Sequence, residues 1–210
     1  MPTPHPTLPY FAGAHERRAL VGGVAFLELA STDKIDVRQL SQWFEEHVVS
    51  AKVMARPSIV LEPPIGSIAL RPTESGARWA NANVARLAST ARTRVISSLR
   101  GLIAAPTDDR FLRAGIFLGR VRREEGRWVA RPEPTAPLSC IVLSLFSVSI
   151  LSDRSFYDRQ LCICDTCGRV SFDEHSPTRA SCHEHPVRSS RTNLRGTPPP
   201  PESGTPSASG

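Results

Sequence analysis

Apolar residues recur every three to four positions in much of the first half of the chain, and this spacing predicts helices over 14–30, 36–48 and 77–104. The second helix should begin after Asp36, a favoured N-cap residue, with Gln39 close to the position of a capping-box partner. The third is the longest, and its apolar face is continuous, formed by Ala80, Val84, Leu87, Ala91, Val95, Leu99 and Leu102. The N-terminal half of the molecule is therefore expected to be helical.

Elsewhere the apolar runs are shorter and are separated by turn residues. Runs over 116–121 and 127–131 flank a Glu-Glu-Gly turn over 124–126, which predicts a β-hairpin. The run over 138–151 alternates apolar residues with serine in its second half, so we interpret it as a strand. The extended stretch over 54–70 predicts two short strands or a covering loop. The expected fold class is α+β, with a helical N-terminal half, then a hairpin and strands, and a small C-terminal module.

That C-terminal module contains the residues best suited to bind a metal. Cys164 and Cys167 form a C-x2-C pair, and Cys182 and His185 form a C-x2-H pair further along the chain. Zinc prefers four soft or borderline ligands in a tetrahedron, and each close pair can supply one edge of it. Gly168, directly after the first pair, suits a left-handed turn that points backbone N–H groups at the thiolates. The spacing predicts one structural zinc ion.

The two pairs resemble the knuckles of zinc-ribbon and treble-clef modules, over residues 161–186 and in no other part of the chain. The resemblance implies a small hairpin module that folds around its zinc ion. Two features depart from the pattern, because Cys162 adds a C-x-C arrangement and His183 stands next to Cys182. Cys162 is therefore an alternate ligand in the first knuckle, and His183 is an alternate to His185.

Composition divides the chain into four parts. Prolines crowd residues 1–12, which are expected to form a flexible arm, and Pro, Ser and Gly dominate 187–210, which are expected to form a disordered tail. Between these ends we expect an α+β globular domain over 13–158 and the zinc module over 159–186.

The sequence also predicts a compartment. No basic segment precedes an apolar run at the N-terminus, so no signal peptide is expected. No apolar run reaches the ~20 residues that a membrane span needs. Cysteines grouped for metal binding, rather than spread out for disulfides, fit a reducing compartment. We therefore expect a cytoplasmic protein without a membrane partner.

Positive charge is the last feature with functional meaning. The chain has a net charge of +6 and a pI of about 9.5. The predicted helix over 77–104 contains no acidic residue, which permits two interpretations: a solvated face or a helix that contacts an anion. Its arginines are Arg78, Arg86, Arg92, Arg94 and Arg100. A second group lies in the predicted hairpin: Arg120, Arg122, Arg123 and Arg127.

These observations favour a non-enzymatic zinc-binding protein that acts as a regulatory or interaction module. Its partner is a protein or a nucleic acid, and the sequence does not decide between them. The chain has no phosphate-binding glycine loop, nucleophile elbow or kinase motif set. Two alternatives stay open: a thiol-based redox or metal sensor, and an enzyme with an unrecognised site between the helical part and the strands.

Overall fold

Six α-helices and three small antiparallel sheets form the part of the chain that the computed structural model describes, which is residues 13–32, 35–49, 59–60, 67–68, 77–133, 136–172, 180–182 and 184–185. The helices are α1 (Ala14–Leu29), α2 (Val37–Phe44), α3 (Ala77–Ala104), α4 (Arg110–Phe117), α5 (Leu138–Ser152) and α6 (Arg154–Gln160). The sheets pair β1 (Ile59–Val60) with β2 (Ser67–Ile68), β3 (Val121–Glu124) with β4 (Arg127–Ala130), and β5 (Leu161–Ile163) with β6 (Val170–Phe172). The α+β class is confirmed.

The three helices predicted in the N-terminal half are present. α3 has the predicted bounds, and α2 begins with a complete capping box. In that box the Gln39 backbone N–H donates to Asp36 Oδ1 at 2.7 Å, and the Asp36 N–H donates to Gln39 Oε1 at 3.0 Å. α2 continues into a π-helical segment, Glu45–Val49. Trp43 joins α2 to α1, because its indole N–H donates to the carbonyl of Gly22 at 2.9 Å.

The prediction of a strand over 138–151 is wrong, because this segment is α5. The helix forms the centre of the core, where α1, α3, α4 and β4 pack around it. Eleven of its fifteen residues are buried. A helix buried on nearly all sides has no polar face, so the 3.6-residue period that identifies a surface helix is missing.

The serines of α5 caused the error in that prediction. Ser144, Ser147 and Ser152 each donate their hydroxyl to the carbonyl four residues earlier, at 2.7–2.8 Å. Each hydroxyl therefore obtains a hydrogen-bond partner within the helix and needs no solvated face. Within the described ranges no single helix has both the length and the apolar composition to cross a membrane, although α5 and α6 meet these criteria jointly, with a bend of 104° between them.

The predicted hairpin is confirmed, but its first strand is shorter than expected. The residues expected to begin that strand belong to the end of α4, and β3 starts only at Val121. Gly119, with a φ of 67°, ends the helix and turns the chain into the strand. The tight turn consists of Glu125 and Gly126, whose φ angles of 49° and 80° are those a type I′ turn requires.

The predicted arm over 1–12, the predicted tail over 187–210 and most of the extended stretch over 54–70 lie outside the described residues. The division into four parts stays a prediction. Within the described part, the small sheet of β5 and β6 packs beside α3 and α6, so the C-terminal module is placed directly against the helical core.

Candidate metal centre

The first ligand pair lies in the turn that joins β5 to β6. Cys164 follows β5 directly, and the turn is closed by two backbone hydrogen bonds: Cys164 N–H to Arg169 O at 3.0 Å and Gly168 N–H to Cys164 O at 2.8 Å. Gly168 has a φ of 67°, so the left-handed turn predicted at this position is present. The backbone N–H groups of Thr166 and Cys167 donate to the Cys164 sulfur, and that of Arg169 donates to the Cys167 sulfur. The turn therefore directs backbone N–H groups at both sulfurs.

The second ligand pair lies on another turn, which is fastened to the first. His185 N–H donates to Cys182 O at 3.0 Å, which closes the turn between the two residues. The Asp165 N–H donates to the Ala180 carbonyl at 2.9 Å and joins the backbones of the two turns. An ion pair between Arg169 and Glu184, with 2.7 Å between Nη1 and Oε1, joins their side chains.

One ligand atom from each of the four predicted residues lies within 4.8 Å of the other three. The sulfurs of Cys167 and Cys182 are 3.7 Å apart, and the Cys182 sulfur lies 3.4 Å from Nδ1 of His185. In a regular zinc tetrahedron the corresponding edges are about 3.8 Å for two sulfurs and about 3.6 Å for sulfur and nitrogen, given the usual bond lengths. The donor set and the spacing therefore fit a metal ion, with zinc plausible.

The thiols of the first pair have unequal pKa values. Burial raises the pKa of Cys164, but hydrogen bonds from the backbone N–H groups of Cys167 and Thr166 and from the Cys182 and Cys167 thiols outweigh it and lower the pKa below its usual value. Burial is the main cause that raises the pKa of Cys167, and the negative charge of Cys164 adds to it. The Cys164 thiol thus loses its proton more easily than the Cys167 thiol. A bound dication would favour the thiolate form of both.

The alternate ligands are placed differently. Cys162 lies in β5 opposite Ser171, is almost fully buried, and its sulfur is 3.4 Å from the carbonyl of Gln160. It does not belong to the cluster of four. His183 lies outside the described residues, so it can be compared with His185 only by experiment.

Two arginines of α3 bind the backbone of the first turn. Arg92 donates from Nη2 to Cys167 O at 2.6 Å and from Nε to Leu27 O of α1 at 3.2 Å. Arg100 donates from Nη2 to Cys164 O at 2.9 Å. Burial lowers the pKa of Arg92, while the charge of Cys167 acts in the opposite direction. Since zinc with three thiolates and one neutral imidazole carries a net negative charge, the two guanidinium groups would offset it.

The turn and α3 approach each other closely between these arginines. Gly168 faces Ile96, and a Cβ atom on the glycine would lie only 2.9 Å from Ile96 Cδ1 and 3.1 Å from Arg92 Nη2. A cleft of about 340 Å³ lies alongside, lined by α3 and the turn. Gly168 is therefore required both by its positive φ and by this close contact.

The structure describes the side chains of two of the three remaining arginines of α3. Arg86 donates to Asn83 of the same helix at 3.0 Å, Arg94 is exposed, and the side chain of Arg78 lies outside the described residues. Anion contact by this helix stays a prediction. Sequence reasoning missed the docking role of Arg92 and Arg100, although their eight-residue spacing, with Ile96 midway, places all three on one line of the helix.

No family model matches this chain, and neither a curated protein nor a solved structure matches it.

Proposed function

We propose that this chain is a non-enzymatic zinc-binding protein whose C-terminal segment is stabilised by one structural zinc ion and acts as a regulatory or interaction module. The convergence of three thiols and one imidazole from two separate turns carries the proposal. Both ligand pairs lie on turns closed by backbone hydrogen bonds, in keeping with the knuckles of zinc-ribbon and treble-clef modules.

A structural ion suits the site better than a catalytic one. Four protein ligands complete a tetrahedral zinc shell, whereas a catalytic zinc keeps one position for water or substrate. The carboxylates nearest the turns are engaged as well: Glu184 pairs with Arg169, and Asp165 lies 3.5 Å from Arg100.

Such an ion would add to the stability that the module gains by packing against α3 and α6. β5 and β6 have three residues each, and an isolated two-stranded hairpin of that size is marginal in water. A zinc ion bound to both turns would supply the missing free energy, because metal binding by a site that exists only in the folded state is folding free energy. The arginines of α3 would then hold the loaded turn against the core.

Metal content and ligand substitution test the proposal. We expect one zinc ion per purified chain and loss of that ion in Cys167→Ser. Cys162→Ala is the matched control, since this cysteine is nearby but outside the cluster. The Co²⁺-substituted protein should show the visible absorption of a tetrahedral thiolate site, and Cys167→Ser should not. A protein without zinc, or equal loss of zinc in the two variants, contradicts the proposal.

A thiol-based sensor is a second candidate, favoured by the 3.7 Å between the sulfurs of Cys167 and Cys182. Two thiols this close can form a disulfide after a small movement, and zinc would then leave. Stepwise addition of hydrogen peroxide with a colorimetric zinc indicator separates the two functions. Zinc retained under mild oxidant supports the structural role, and zinc released together with a disulfide between these two cysteines supports sensing.

Grouped, reduced thiols fit a reducing compartment such as the cytoplasm. The partner is proposed to be a protein or a nucleic acid. Arg92 and Arg100 already bind backbone carbonyls, which leaves the arginines of the hairpin as the main basis for an acidic partner. A steep fall of affinity with salt would indicate nucleic acid, and weak salt dependence would indicate an apolar protein interface.

A further inference from the structure

Three consecutive apolar residues at the end of α4 face the solvent. Ile116 is 41% exposed, Phe117 89% and Leu118 48%, and they are the exposed large hydrophobic residues among the described side chains. Single exposed apolar residues are ordinary on protein surfaces, but a contiguous group points to a binding site. We call residues 116–118 the apolar tip.

The backbone of the apolar tip is held firmly, so the exposure is built into the fold. Arg120 N–H donates to Gly115 O at 2.8 Å, and Gly119 N–H donates to Ile116 O at 3.0 Å. Together with the positive φ of Gly119, the first of these bonds forms a Schellman-type helix end. The chain then enters β3, whose first residue, Val121, is buried. The tip therefore projects from a rigid corner between a helix and a strand.

Arginines are frequent in the elements that form this corner. Residues 108–131 contain seven arginines and four acidic residues. Arg122 lies beside the tip, because its Nε donates to the carbonyl of Gly119 at 2.8 Å. Arg113 is on the same face of α4 as Phe117, by its four-residue spacing, and its side chain is 71% exposed although it pairs with Asp109. An apolar projection within a net positive surface suits an anionic, partly apolar partner.

We propose that the apolar tip and its arginines bind the surface of a membrane that contains anionic phospholipids. The apolar side chains would enter the boundary between headgroups and acyl chains, and the guanidinium groups would pair with lipid phosphates. Such peripheral binding needs no membrane-spanning helix. It departs from the sequence-based expectation of a chain without a membrane partner, and it assigns the hairpin arginines to lipid phosphates rather than to a protein or nucleic acid. It is independent of the proposed zinc site, because none of the metal ligands takes part.

The observations favour this partner over the other classes. A second copy of the chain would bring two positive surfaces together. A nucleic-acid duplex would pair with the arginines and leave Phe117 in water, and a single strand could stack a base on Phe117 but would leave Ile116 and Leu118 without an apolar partner. A protein partner would need an apolar pocket shaped to the projection and an acidic rim, whereas a bilayer adapts to a small convex group without a matching pocket.

Vesicle sedimentation with the whole 210-residue chain, as purified, tests the proposal. We expect binding to vesicles of phosphatidylcholine mixed with phosphatidylglycerol, weak binding to phosphatidylcholine alone, and a decrease as salt rises. Phe117→Ser should lower the partition coefficient roughly tenfold or more, because the largest inserted side chain is lost. Phe117→Trp should bind as well as the parent chain, and its fluorescence should shift to the blue on binding.

Charge variants complete the test. Arg122→Gln and Arg123→Gln should each weaken binding to the anionic vesicles about fivefold. Arg38→Gln, which changes an exposed arginine of α2, is the matched control and should have little effect. Zinc content and circular dichroism identify variants that fail to fold. The proposal is overturned if the parent chain does not sediment with anionic vesicles, if Phe117→Ser binds them equally well, or if the chain binds duplex DNA at lower concentrations than vesicles.

Discussion

The two turns of the metal centre and the corner between α4 and β3 use arginine in opposite ways. At the metal centre Arg92 and Arg100 point at backbone carbonyls of the same chain and join α3 to the first turn. At the corner and in the adjoining hairpin Arg122 and Arg123 are exposed, and each donates to a carbonyl close to it in sequence, Gly119 O and Gly126 O respectively. Arginine content alone therefore says little about partners. The same residue type binds backbone carbonyls between elements in one region and lies exposed to solvent in the other.

The largest expected effect comes from removing zinc, which should lower amide protection in one region and not in the other. Chelation under reducing conditions should lower the hydrogen-exchange protection of backbone amides in β5 and β6 by about 100-fold or more, because the short hairpin would lose the ion proposed to stabilise it. The amides of β3 and β4 should keep their protection. Mass spectrometry of deuterium uptake measures both regions in one sample. Equal loss in the two hairpins would mean that zinc stabilises the whole molecule, and no loss in either would remove the structural role of the ion.

The next effect compares a glycine of the first ligand turn with a glycine of the turn between β3 and β4. Gly168 and Gly126 both have positive φ, but only Gly168 is crowded, with Ile96 and Arg92 next to the position of a Cβ atom. Gly126→Ala should therefore lower the free energy of unfolding by about 1 kcal/mol, from backbone strain alone. Gly168→Ala should lower it by about 3 kcal/mol, because overpacking adds to the strain.

Urea unfolding with zinc in the buffer gives both values for the glycine variants. A third variant, Gly101→Ala in α3, has open space around the position of its Cβ atom and should be neutral or slightly stabilising. If Gly168→Ala and Gly126→Ala cost the same, the close contact between the first turn and α3 is absent in solution.

Structural features that depend on neighbouring residues could be predicted from the sequence. Features that depend on contacts with distant residues could not. The capping box at Asp36 and the turn at Gly168 are local chemistry, and both are present as predicted. The four clustered residues were likewise found from two short spacings. α5 was misassigned because its environment, and not its own pattern, decides that both polar and apolar positions are buried.

Arg92 and Arg100 show the same limit of sequence-based prediction for single side chains. Arg92 is separated by 75 residues from the carbonyl of Cys167 that it binds. Its four-residue spacing from Ile96 separates it from the exposed Arg94, but that spacing does not identify the carbonyl that it binds. Only the packing of α3 against the C-terminal turn makes the difference, and that packing follows from the whole fold.

A pair of conservative substitutions tests the internal role of arginine. Arg92→Lys keeps the charge but cannot reach two carbonyls in the geometry of a guanidinium group, so we expect a loss of about 2 kcal/mol in the free energy of unfolding. Arg123→Lys at the exposed hairpin should change it by less than about 0.5 kcal/mol. Urea unfolding of both variants, with zinc present, makes the comparison. Equal values would show that Arg92 contributes no more to stability than an exposed arginine.

The smallest effect concerns the ion pair between the two ligand turns. Arg169 and Glu184 approach to 2.7 Å, but their side chains are 40% and 57% exposed, so water and salt screen the interaction. Arg169→Gln should lower the free energy of unfolding by less than about 1 kcal/mol and leave the zinc content unchanged. The difference from the parent chain should shrink further in high salt, because the attraction is screened. Loss of zinc from this variant would instead mean that the ion pair holds the second turn in place, a larger role than its exposure allows.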